Sequence, residues 1–160
     1  MYLGHFTNFK SHPQLLLLSG LPAEFGVVQQ ALGALSPDTP LAINDLEGIQ
    51  SVSGTALRVR QSARNGITRL SATDFEWETT PDALDESLEL IAPLAASRDA
   101  GHQYFEFHPA DDAVIMMSVG EYDDGWWQRQ VIQLHRCVST GASSPFDSDQ
   151  RRGTRTQKRS

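Results

Sequence analysis

The run Gln14–Ser19, QLLLLS, followed at once by Gly20 and Pro22, places the first constraint on how this chain folds. Its four leucines leave no wet face, so it reads as a short buried strand closed by Gly20. Pro22 then opens a helix at the one position where its missing N–H costs little. Leu21, Phe25, Val28, Leu32 and Leu35 follow at spacings of four, three, four and three, a single apolar stripe on that helix. Ser36-Pro37 ends it, because the residue before proline disfavours helical geometry.

The remaining elements follow from the same periodicities. TALRVRQSAR, Asn65-Gly66 and ITRLSATDFEWE read as a hairpin, since Asn-Gly accepts the positive φ of a two-residue turn. Leu57 and Val59 alternate with Arg58 and Arg60, which gives that strand one core face and one wet face. Thr80-Pro81-Asp82 combines an N-cap, a first-turn proline and an acid matched to the helix dipole. Leu84, Leu88, Ile91 and Ala95 continue the stripe, and Pro93 is expected to kink or end this helix near Ala92. Gly101 restarts an extended segment, HQYFEFH, and AVIMMSVG is apolar enough for the middle of a sheet. The segment from Gly125 fits a helix or a strand, with helix favoured by Trp127, Val131, Leu134 and Val138.

The order is β-α-β-β-α-β-β, an α+β fold with two helices on one mostly antiparallel sheet of about five strands. Its first six elements follow a split βαβ order. Residues 1–138 read as a single domain, and residues 139–160 as a disordered tail, basic at its end.

Composition narrows the function. At 160 residues the chain buries a core without staples. Its one cysteine, Cys137, permits no internal disulfide, and MYLGHFTNFKSHP lacks the pattern of a signal peptide, so a cytoplasmic protein is expected. The net charge is −7, yet residues 1–148 carry 8 Lys and Arg against 19 Asp and Glu, a net of −11. Such a body repels nucleic acid and anionic membrane and attracts cationic partners.

No motif specifies a reaction or a cofactor. Cys137 and His135 stand two apart and do not face each other on a helix. There is no G-x-S-x-G elbow and no phosphate-binding glycine loop. On an extended HQYFEFH, Gln103, Phe105 and Phe107 face the core, while His102, Tyr104, Glu106 and His108 share the outer face. His102 and His108 are then about 20 Å apart, too far to share an ion, so no metal site is expected. A small metal protein or enzyme would draw on His102, Glu106 and Glu121, because Glu121 should lie beside His102. An adaptor subunit would instead expose an apolar patch.

GEYDDGWW offers three acids among aromatic rings, the composition of an interaction hot spot. The candidate partner-binding residues are therefore Glu121, Tyr122, Asp123, Asp124 and Trp126, together with Asp111 and Asp112. In size, acidic α+β body, lack of catalytic motifs, and the GHQYFE and GEYDDGWW segments, the chain resembles small bacterial immunity proteins of polymorphic-toxin or contact-dependent inhibition systems. The resemblance implies a tight one-to-one complex with a cognate toxin, often a basic nuclease, occluded by acidic side chains.

Overall fold

The computed structural model describes residues 1–9, 12–107 and 111–131. The order is β1 (Tyr2–Phe9), β2 (His12–Gly20), α1 (Pro22–Gly33), β3 (Leu41–Ala42), β4 (Gln50–Ser51), β5 (Ala56–Gln61), β6 (Gly66–Arg69), β7 (Asp74–Thr79), α2 (Pro81–Ala96), β8 (Gly101–Phe105) and β9 (Val114–Val119). A third helix, α3, occupies residues 124–131. The fold is α+β, as the patterning predicts. Its strands, however, divide into two mixed sheets, β4-β1-β2-β9-β8 and β3-β5-β7-β6.

The division removes the split βαβ arrangement. β2 pairs parallel with β9 and antiparallel with β1, a strand the periodicity does not announce. Leu16 and Leu18 enter the main core with Ile115, Met117 and Val119; Leu15 and Leu17 enter a second core with Met116. Both strands are thus buried on both faces, which is why they read as continuous apolar runs. The main core lies between the two sheets and the helices, and α1 and α2 pack against each other there.

The Asn65-Gly66 hairpin is not formed. β5 pairs parallel with β7, while β6 pairs antiparallel with the other side of β7. The link 62–65 passes the end of β7, where Ser62 N–H donates to Thr79 O. The physical reason is Glu78, 3% exposed, which accepts from Arg60, Ser62 and Arg64 and draws the link over its own strand. The tight turn instead falls at residues 70–73. There Leu70 N–H and Ser71 N–H donate to Asp74 O, at 2.8 and 3.2 Å.

Both helix starts follow the sequence. Thr80 Oγ1 accepts from Ala83 N–H at 3.2 Å, with Pro81 in the first turn. At α1, Glu24 reaches back to Leu21 N–H and also holds the Met1 amino group. Pro93 does not end α2, which continues to Ala96. So near the C-terminus a proline forfeits one backbone bond, while Ile91 and Leu94 on the buried face hold the last turn in place.

Candidate functional site

The candidate residues fall at the two ends of β9. Six residues of strand, roughly 20 Å, separate Asp111 and Asp112 from the segment after Gly120. The two groups do not form one patch.

At the far end, Gly120 (φ +69) makes the left-handed turn that a side chain would resist. Glu121 comes to rest beside His102, as the strand pairing predicts, with its Oε2 2.8 Å from Nδ1. The same oxygen accepts from the buried Ser118 hydroxyl at 2.6 Å. Asp123 is an N-cap: its Oδ1 accepts from Trp126 N–H at 2.6 Å, opening α3. Asp124 hydrogen-bonds Tyr2, and that bond, helped by burial, raises the Tyr2 pKa.

The rings between them are a second core. Trp127 is 1% exposed, stacked on Tyr2 at 5.1 Å, while Trp126 meets Tyr122 at 4.6 Å and Phe6 at 5.6 Å. Glycine at position 4 makes this packing possible, for a Cβ there would lie 2.7 Å from Trp127 Cζ3. Asn8 (φ +54) lets Phe9 pack at 5.4 Å from Phe6, where strict alternation would turn it to the opposite face. The outer face of the sheet, expected to be polar around His102 and Tyr104, is therefore largely covered, and Tyr104 joins this second core.

The other end of β9 is concave. Asp112 anchors it: its N–H donates to Ile67 O at 3.0 Å and its carboxylate accepts from Arg69 N–H at 2.8 Å, tying the two sheets together. Three adjoining clefts of about 520, 200 and 120 Å³ meet here. Asp111 and Asp112 are common to the first two, Glu106 and Phe107 to the first and third, and Asn65 to the second and third. Glu78 and Glu86 add two further carboxylates to the lining. Of the basic groups in the wall, Arg64 is bound to Glu78, and His12 lies 3.9 Å from Glu106. Phe107, stacked on Trp77 at 5.2 Å, and the exposed Leu90 supply apolar surface.

Glu78, Glu86 and His12 were not among the sequence candidates. One signal was available: Arg58 and Arg60 have the same spacing as Glu76 and Glu78, and the parallel register sets Arg60 opposite Glu78. That register belongs to the tertiary fold.

The metal set is not assembled. His102 and Glu121 meet, but Glu106 lies beyond the other end of β8, and among the described residues no group of three His, Cys, Asp or Glu is placed to hold an ion. His108, Pro109 and Ala110 lie outside the described residues, as do His135, Cys137 and the tail 139–160. Among the described residues, no helix is long and apolar enough to cross a membrane.

No protein-family model, curated protein or solved structure matches this chain.

Proposed function

We propose that the chain is a non-catalytic binding protein of the cytoplasm that neutralises a cognate cationic protein, a toxin, by occluding it in the manner of an immunity protein. The observation that carries this reading is the concave rim formed by Glu106, Phe107, Asp111 and Asp112. It gathers Glu86, Glu106, Asp111 and Asp112 beside apolar Phe107 and Leu90, above a buried Glu78 already paired with Arg60 and Arg64. A body of net −11 over residues 1–148 steers a cationic partner, and the rim gives it a shaped place to dock. Asp123, Asp124 and the edge of Trp126 at the other end of β9 remain part of the proposed partner-binding set.

The test is co-expression with the partner captured on the full chain from source lysate. A single basic protein that arrests growth alone, and is harmless beside this chain, is the expected result. Glu86→Lys with Glu106→Lys changes two exposed side chains and should abolish protection while leaving the fold intact. Protection that survives this double change would place the binding face elsewhere, and a captured partner without toxicity would overturn the neutralising role.

A further inference from the structure

The Asn65-Gly66 pair, which makes no hairpin, has a chemistry of its own. Of the three asparagines it alone precedes glycine, whose bare Cα leaves the following peptide nitrogen open to the asparagine side chain. Asn44 is held at both ends, since its Nδ2 donates to Asp45 Oδ1 at 2.8 Å and its Oδ1 accepts from Leu57 N–H at 3.3 Å. Asn65 Oδ1 accepts no hydrogen bond, so nothing fixes the side-chain amide through that oxygen. The residue is half-buried in the wall shared by the second and third clefts of the rim.

What restrains reaction is the sheet. Ile67 O accepts from Asp112 N–H at 3.0 Å and Arg69 N–H donates to the Asp112 carboxylate at 2.8 Å, so the backbone groups of Ile67 and Arg69 point away from β7. Alternation then turns those of Gly66 and Thr68 towards β7, where they stand opposite Glu78 and Glu76. The Gly66 nitrogen is thus committed to the β6–β7 ladder, and it keeps its proton while β6 stays paired. β6 is only four residues long and lies at the edge of its sheet, so it opens at lower cost than the whole chain unfolds.

We infer that Asn65 is a self-modification site gated by the pairing of β6. When β6 opens, the Gly66 nitrogen gives its proton to hydroxide and attacks Asn65 Cγ. The new C–N bond closes a five-membered succinimide, the Cγ–Nδ2 bond breaks, and Nδ2 leaves as ammonia after taking a proton from water. A second water opens the ring to aspartate or isoaspartate. Either product puts a new carboxylate into the cleft wall that Glu78 and Asp111 also line, and isoaspartate lengthens the main chain as well. Like charges there oppose one another and the change is irreversible, so modification leaves β6 more weakly held than before.

The full chain is incubated at mildly alkaline pH, and its tryptic peptide Asn65–Arg69 is followed by mass spectrometry for the one-dalton gain of amide-to-acid conversion. The folded chain is expected to react about tenfold or more slowly than the chain in denaturing urea. Glu78→Ala, which loosens β6, should accelerate the gain by the same factor as amide exchange at Thr68, because both need the same opening. Low, non-denaturing urea should do likewise in the unaltered chain, and Asn65→Gln should suppress the reaction. A folded chain that reacts as fast as the denatured one overturns the gate. Faster exchange at Thr68 without a faster mass gain, in Glu78→Ala and in low urea alike, overturns the coupling to β6. Asn65→Asp is expected to speed exchange at Thr68 about threefold or more, and unchanged exchange there overturns the loosening. None of these readings needs a partner, so their failure is separate from failure of the neutralising role.

Discussion

At the scale of single residues, the second core depends on one missing methyl group. Gly4 sits under Trp127, and the nearest ring atoms leave no room for a Cβ. Gly4→Ala is expected to cost about 1–3 kcal/mol, the usual range for overpacking a filled core. Urea denaturation measures it, and Trp127→Phe in the same chain should recover part of the loss, because the two positions touch. His5 gives a pH signature. Its ring packs 4.8 Å from Phe75 and Nε2 lies 2.6 Å from Gln14 Oε1. Burial, with Arg69 nearby, lowers its pKa below the ordinary value despite the opposing Gln14 bond. The unfolded chain therefore binds the proton more readily, so His5 makes stability fall as pH drops below about 6.5, by at most about 1.4 kcal/mol per unit. His5→Gln should flatten that part of the slope between pH 7.5 and 5.5, and an unchanged slope would assign it to other groups.

Among the elements, the four-stranded sheet turns on Glu78. Arg60 and Arg64 converge on it from β5 and from the link to β6, and Arg60 also donates to Glu76 at 2.9 Å. The carboxylate is buried while the arginines reach solvent, so its removal leaves no buried cation behind. Glu78→Ala is expected to destabilise by about 1–3 kcal/mol, and the loss should concentrate in β6 and the 62–65 link. Amide hydrogen exchange reads this directly: protection lost evenly over both sheets would show that Glu78 does not govern the crossover. The local signals here were real but insufficient. Asn65-Gly66 is a strong turn pair, yet a turn dictates pairing only where no competing contact redirects the strands. Pro93 shows the same hierarchy, since Ile91 and Leu94 keep α2 in place through the residue that patterning takes as its end.

For the whole molecule, the distribution of charge is the decisive property. The six arginines of the described residues stand against 18 acids, and two of them, Arg60 and Arg64, are spent on Glu76 and Glu78. Association with a cationic partner should therefore be salt-dependent. Its rate constant is expected to drop about tenfold as salt rises from about 20 to about 150 mM, with dissociation nearly constant. Stopped-flow mixing with the captured partner measures both, and an association rate insensitive to salt would remove steering from the proposal.

Element type and burial were largely legible in the residues themselves. QLLLLS and AVIMMSV are buried strands because they have no polar face, Thr80 is a cap, and Glu121 meets His102 because adjacent antiparallel strands fix that register. These depend on local geometry and on neighbours close in sequence. The pairing of distant strands depends on contacts no short window contains. β1 could not be recognised because Gly4 and Asn8 interrupt its alternation, and their purpose becomes visible only when Trp127 and Phe9 close over the same face. Likewise, the acidic rim collects Glu86, Glu106, Asp111 and Asp112 from separate segments of the chain. Sequence determined which residues are apolar, charged or turn-forming; tertiary structure decided which charges share a cleft, because strand order depends on the burial of two cores and on the Glu78 contacts, which join groups far apart in the sequence.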